Sequence, residues 1–189
     1  VERTRKLEDF GWDDYSFIDG LSDEYINANI IHKESIIEEL PHLYIDNPPG
    51  YANTPFYGIS DIDTDKRVLG LVSNGAKEFL NQVDTDKPWA CFVSVIEPHD
   101  PFISTKKYYD MYEDIELNLP KSFNDELLDK PNIYRRGKKV FENMTKQDHV
   151  ECIRNYYAMI TEIDYEYGKI IDLLEAKGEL ENTIIIFSS

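Results

Sequence analysis

Two short apolar runs, WACFVSVI (residues 89–96) and TIIIFSS (residues 183–189), each follow a segment of helical period. Runs of this length without polar alternation fit strands covered on both faces, the kind that parallel sheets contain. Ahead of the first, Val68, Leu69, Val72, Ala76, Phe79, Leu80 and Val83 recur at three- and four-residue steps. They predict an amphipathic helix with Thr64 or Asp63 as its cap. Ahead of the second, Val150, Ile153, Tyr157, Ile160, Ile163, Tyr167, Ile170, Ile171 and Leu174 share one stripe. Arg154, Glu162, Glu166, Lys169, Asp172 and Glu175 fall outside it. TKQD (residues 145–148) reads as a capping box with Asp in place of the longer Glu, and Gly178 as the stop. Helix, buried strand, loop, long helix, buried strand is an α/β order. It predicts an incomplete part of a mostly parallel sheet flanked by helices.

The remaining segments carry weaker signals. YSFIDG (residues 15–20) suits a strand and turn, and HKESIIEEL (residues 32–40) a short helix stopped by Pro41. DNPPGYANTPFYG (residues 46–58) has three prolines and two glycines in thirteen residues, which is loop chemistry. Ser104 is placed to cap a short helix through TKKYYDMY, and residues 113–144 read as irregular. With 189 residues, 41% of them hydrophobic and 13% aromatic, the chain can bury a core. Its formal charge of −17 argues against nucleic acid, anionic lipid or heparin-like polymers as general surface partners. A small anionic substrate would need local cations or a metal to offset that field.

No apolar run reaches the roughly 18 residues that span a bilayer. Both ends read as cut from something longer, and neither compartment nor oligomeric state is indicated. Cys91, in an apolar run, and Cys152, on a helix pattern, are expected to be inert buried thiols.

One segment draws chemical attention. Directly after the first apolar run stands Glu97-Pro98-His99-Asp100-Pro101. The two prolines fix φ and push Glu97 and Asp100 out of helical geometry, so His99 is held in a stiff turn. In open α/β sheets ligands collect at the carboxyl ends of strands, which is where this reading places His99. Such a histidine either faces a ligand or is a surface residue bonded to a neighbour. Glu97, His99 and Asp100 do not make a metal site, because successive residues of an extended chain cannot all face one ion. His32, His42 and His149 are ungrouped and read as solvated. There is no Gly-x-Ser-x-Gly, phosphate-cradling Gly-rich loop or Cys-x-x-Cys. Arg135, Arg136, Lys138 and Lys139 form a basic cluster that either meets an anionic substrate or lies in a solvated loop. Asn143-Met144-Thr145 fits a glycosylation triplet.

Three segments together resemble the sulfatase family of the alkaline phosphatase superfamily. PWACFVSVIEPHDPF is similar to the family's strand and Pro-His-x-Pro turn. YYAMITEIDYEYGKIIDLLEAKGELENTIIIFSS is similar to its long helix, glycine stop and strand. FGWDDY (residues 10–15) is more weakly similar to a segment shortly after its Gly-Lys-Trp-His motif. The resemblance implies that residues 1–189 are the central part of a single catalytic domain, lying between that motif and the later Asp-His-Gly. It implies a parent that hydrolyses small-molecule or sugar sulfate esters with calcium and a formylglycine nucleophile, both supplied outside this chain. Neither Cys91 nor Cys152 stands in the family's Cys/Ser-x-Pro-x-Arg motif. His99 matches the histidine that contacts the sulfate group and its ester oxygen, and so carries the catalytic and substrate-binding expectation. Arg135 and Arg136 are weaker substrate-binding candidates, and no metal ligand is expected among the matched positions. By the same resemblance the isolated chain should be inactive. A phosphate or phosphonate monoester hydrolase of the superfamily and a non-catalytic sulfatase-like binding domain are the alternatives.

Overall fold

The structure is a computed structural model that describes residues 27–28, 36–37, 40–44 and 55–189. The segments expected at residues 10–20, most of the helix expected at 32–40 and residues 46–54 of the expected loop lie outside them. The chain divides into two compact units.

The first unit gathers His32–Asp63 and Glu97–Glu162. At its centre two strands, β1 (Tyr57–Ser60) and β2 (Phe102–Thr105), pair in parallel, with Tyr57 opposite Phe102 and Ser60 opposite Thr105. Ile36 makes an antiparallel bridge to Ser60, so the helix expected there is not formed at that residue. Leu43, Tyr57 and Cys152 form an apolar cluster, with Leu40, Phe56, Phe102 and Met144 packed against it. The rings of Phe56 and Phe102 meet edge to face at 5.4 Å, and those of Phe102 and Tyr156 at 5.7 Å.

Ser104 lies in β2 and does not cap a helix. Its hydroxyl is committed to Asn155 Oδ1 at 2.6 Å, and both residues are fully buried. The one-turn helix α2 (Lys106–Tyr109) follows directly from β2.

The second unit contains Thr64–Ile96 and Ile163–Ser189. Here helix α1 (Val68–Gln82) forms as its periodicity predicts, behind a 3-10 turn over Thr64–Lys66. Its N-cap position is Arg67, with no side-chain cap, so neither Thr64 nor Asp63 serves that role. Thr64 opens the preceding turn instead, its carbonyl accepting from Arg67 N at 2.9 Å.

Helix α4 (Lys146–Ala176) runs through both units, and its ends follow the sequence closely. At the start, Asp148 N donates to Thr145 Oγ1 at 3.1 Å while Thr145 N donates to Asp148 Oδ2 at 2.6 Å. This is a reciprocal capping box made with Asp. At the end, Gly178 has φ +72°, Glu179 N donates to Leu174 O, and Gly178 N donates to Glu175 O. That is a Schellman closure, and glycine supplies its left-handed residue without steric cost.

Three further expectations need correction. Residues 89–96 and 183–189 are not strands: among the described residues β1 and β2 are the only sheet, and neither apolar run has a ladder partner. Both are exposed where burial was expected, Phe92 to 77% and Ile186 to 83%. Apolar, β-branched composition favours a strand only when a neighbouring backbone takes up its N–H and C=O groups.

The buried stripe of α4 is also rotated. Tyr157, Ile160 and Ile171 are exposed, while Cys152, Arg154, Asn155, Ala158, Met159, Glu162 and Glu166 are buried. Burial of the charged members is compensated where their partners are seen. Arg154 donates to the carbonyls of Tyr112, Glu113 and Ile115 and pairs with Glu151, and Glu166 receives Lys169 Nζ at 2.6 Å.

Lastly, the basic segment is helical, not irregular. Helix α3 (Asn132–Val140) carries it, entered from Pro131. Among the described residues no helix is long and apolar enough to cross a membrane.

Candidate functional site

The turn that holds His99 leads through Pro101 into β2, whose first N–H, at Phe102, bonds to Phe56 O at 2.8 Å. His99 therefore precedes the amino end of a strand, where the sequence placed it after the carboxyl end of one. The difference arises because the pairing backbone is at Phe102–Thr105, not at residues 89–96.

The imidazole itself is open, with 63% of its side chain accessible. Its Nδ1 lies 2.7 Å from the carbonyl oxygen of Asp100 and 3.1 Å from Asp100 Oδ1. Both are acceptors, so Nδ1 carries a proton. Nε2 has no partner among the described residues. It is a lone pair on the neutral ring and a second N–H donor on the protonated one. The arrangement combines a rigid backbone, a defined tautomer and one solvent-facing nitrogen, and can give or take a proton at a bound molecule.

β2 is fixed beneath this turn. Besides the bond from Ser104, Asn155 donates from Nδ2 to Glu151 O at 2.9 Å, so β2 is tied to a side chain that is itself held on α4. β1 is fixed by a second network that the sequence did not disclose. Asp148 accepts from Tyr57 Oη at 2.8 Å and from Thr145 Oγ1 at 2.7 Å, and pairs with His42 Nε2 at 3.1 Å. His42, read as solvated, is thus a partner of a buried carboxylate. Burial alone would raise the Asp148 pKa. Hydrogen bonds from Thr145, through side chain and backbone, and from Tyr57 and His42 outweigh that and pull it down to about 2. Burial and the same pairing push the Tyr57 phenol well above its ordinary value.

Asp148 consequently carries a pH signature. A folded-state pKa of about 2, below the ordinary 3.8, means the stabilisation is complete above pH 3.8 and is lost as pH falls through about 2. It amounts to about 2 kcal/mol. Urea midpoints measured at pH 5 and pH 2 should show the wild type losing this increment and Asp148→Asn failing to lose it. Equal losses in both proteins would rule out the network as its source.

Of the remaining candidates, Arg135 and Arg136 lie on α3, exposed and without a hydrogen bond or ion pair among the described residues. They share a unit with His99, and no hydrogen bond or ion pair among the described residues joins them to it. Cys152 is buried as expected. Burial, reinforced by Asp148 and Glu151, pushes its thiol up to about 12. Cys91 is exposed, contrary to expectation, because the run that contains it is not covered.

No three His, Cys, Asp or Glu side chains among the described residues are grouped to hold a metal ion. The residues on hand therefore do not fit the calcium that the resemblance implies. Neither cysteine has the Pro-x-Arg context of a formylglycine precursor.

A family model described as Sulfatase matches residues 44–189. Among curated proteins, an arylsulfatase of Clostridium perfringens is 33% identical over 121 residues, covering 62% of this chain and 25% of that protein. A choline-sulfatase of Rhizobium meliloti is 30% identical over 114 residues, 58% of the chain and 22% of the relative. An endo-4-O-sulfatase of Bacteroides thetaiotaomicron is 31% identical over 124 residues, 64% and 21% respectively. The matched segment thus spans a quarter or less of the length of these relatives. No solved structure gives a significant match.

Proposed function

The chain belongs to the sulfatase family, and from that membership we propose that it is the central part of a single catalytic domain whose protein hydrolyses sulfate monoesters. The observation that carries this reading is the family match over residues 44–189, which includes the His99 turn.

In this reading His99 contacts the sulfate group and the ester oxygen through Nε2. As an oxygen nucleophile that is not one of the described residues bonds to sulfur and the sulfur–ester oxygen bond breaks, negative charge collects on the leaving oxygen. The protonated ring donates its Nε2 proton there, and the alcohol departs neutral. Asp100 keeps Nδ1 as the inward donor through both its carbonyl and its carboxylate, so the outward nitrogen is the one that exchanges protons. Arg135 and Arg136 supply unpaired guanidinium groups for an anionic substrate. Calcium and formylglycine supply electrophilic and nucleophilic chemistry in this family. They belong to the proposal for the whole protein, and no step through them is assigned to the residues described. The substrate is a small-molecule or sugar sulfate ester, a class supported by relatives named as an arylsulfatase and a choline-sulfatase.

The test is turnover by the whole protein. Release of 4-nitrophenol from 4-nitrophenyl sulfate is expected to exceed that from 4-nitrophenyl phosphate and from a phosphonate monoester by at least about 100-fold in kcat/KM. The opposite preference would assign the protein to phosphorus ester hydrolysis. No turnover of any of the three would favour a non-catalytic binding domain.

A further inference from the structure

Helix α3 stands out electrically from the rest of the molecule. Its nine residues hold Arg135, Arg136, Lys138 and Lys139 and no acidic residue, in a chain whose formal charge is −17. Helical geometry sets these four cations on one side, because positions three and four apart are neighbours. Ile133, Gly137 and Val140 fall on the other side, and Tyr134 borders the basic face. Residues 132–139 are all exposed. None of the four cations has a carboxylate partner among the described residues, and the single polar contact is Lys138 Nζ to the backbone carbonyl of Asp125 at 2.6 Å. This is a face of uncompensated positive charge, not a salt-bridged surface.

Four cations within about 6 Å of helix axis exceed what one sulfate monoester can engage. A single sulfate group is satisfied by one bidentate arginine. The surplus fits a ligand that presents several anions at close intervals. The remainder of the chain carries a net negative charge, which disfavours such a ligand over most of its length and favours approach at α3. Tyr134, 58% exposed beside the cations, offers an aromatic face and a hydroxyl, a surface suited to a sugar ring.

We propose that the basic face of α3 is a docking surface for a sulfated polysaccharide, holding a run of its sulfate groups while one ester of the same chain is presented for cleavage. This rests on the sulfatase reading and names its substrate class. The surface is a separate element from the His99 turn, in the same compact unit.

The experiment uses dextran sulfate as the probe and the whole protein, wild type and Arg135→Gln/Arg136→Gln/Lys139→Gln, with affinity measured across a salt series. The wild type is expected to bind dextran sulfate and not uncharged dextran. The triple variant should bind at least about 10-fold more weakly at 0.1 M salt, with a shallower dependence of log Kd on log salt, as expected when fewer counterions are released. The charge-conserving Arg135→Lys/Arg136→Lys should retain most of the affinity. If the triple variant fails to fold, Lys139→Gln alone should weaken binding about 3-fold.

Binding that is unchanged by these substitutions overturns the proposal. So does equal, α3-dependent binding of polyuridylate or of phosphatidylserine vesicles, which would reassign the face to nucleic acid or membrane. Binding requires no turnover, so the two readings fail separately. A protein that holds dextran sulfate through α3 yet cleaves no sulfate ester keeps the docking surface and loses the hydrolase assignment.

Discussion

Replacing His99 by alanine is expected to lower kcat/KM of the whole protein for an aryl sulfate by at least about 100-fold, with folding intact. The two halves of that expectation have separate grounds. Folding should survive because the side chain is 63% accessible and its polar contacts are confined to the adjacent Asp100. Removing it creates no cavity and strands no buried donor. The rate should fall because proton donation by a positioned side chain typically contributes 10²–10⁴-fold, the lower bound corresponding to about 2.7 kcal/mol of barrier. Leaving groups provide the finer discrimination. An alkyl sulfate, whose alkoxide needs the proton most, should lose more from His99→Ala than 4-nitrophenyl sulfate, whose phenolate leaves readily. An unchanged rate for both would remove His99 from the mechanism. An equal loss for both would leave it a binding role without proton donation.

The turn that carries His99 was legible in the sequence because two prolines within five residues announce it, and local backbone chemistry needs no partner to be read. Helix α4 was legible for a similar reason. Its period persists over 31 residues, and both ends carry their own chemistry in Thr145, Asp148 and Gly178.

What was missed is non-local. Whether residues 89–96 form a strand depends on backbone that lies elsewhere in the sequence, and the real strand Tyr57–Ser60 was hidden behind the loop chemistry of Pro48, Pro49, Gly50 and Pro55. Asp148 could be read as a helix cap. Its other partners, Tyr57 and His42, are 91 and 106 positions away, a distance that no local pattern bridges. The α4 stripe was misplaced because burial was assigned by polarity. Arg154 is buried at no net contradiction once three carbonyls accept its guanidinium N–H groups. The helical character of residues 132–140 was masked by Gly137, which costs a helix about 1 kcal/mol relative to alanine.

The largest effect on stability is expected from the smallest change, Gly70→Ala. Gly70 is buried in the first turn of α1, where the 3-10 turn over Thr64–Lys66 folds back against it. A β-carbon there would overlap Thr64 O and lie 2.6 Å from Asp65 Cα and 2.7 Å from Thr64 C. All three are backbone atoms, so no side-chain rotation relieves the overlap. The turn cannot withdraw cheaply either, because Thr64 O accepts from Arg67 N at 2.9 Å and the next bond, Leu71 N to Arg67 O at 3.0 Å, starts the helix. Relief must come from breaking that entry or shifting α1, whose Leu69, Ala76 and Leu80 are buried.

We expect a loss of at least about 3 kcal/mol, which lowers Tm by roughly 10 °C in a chain of this size. Gly168→Ala is the matched control. It also lies inside a helix, but nothing stands within 4 Å of its added β-carbon, so alanine should be neutral or stabilise by up to about 1 kcal/mol. Thermal melts of the two variants separate steric exclusion from helix propensity. A Gly70→Ala protein that melts within about 2 °C of wild type would show that the turn over Thr64–Lys66 does not press on α1 as described.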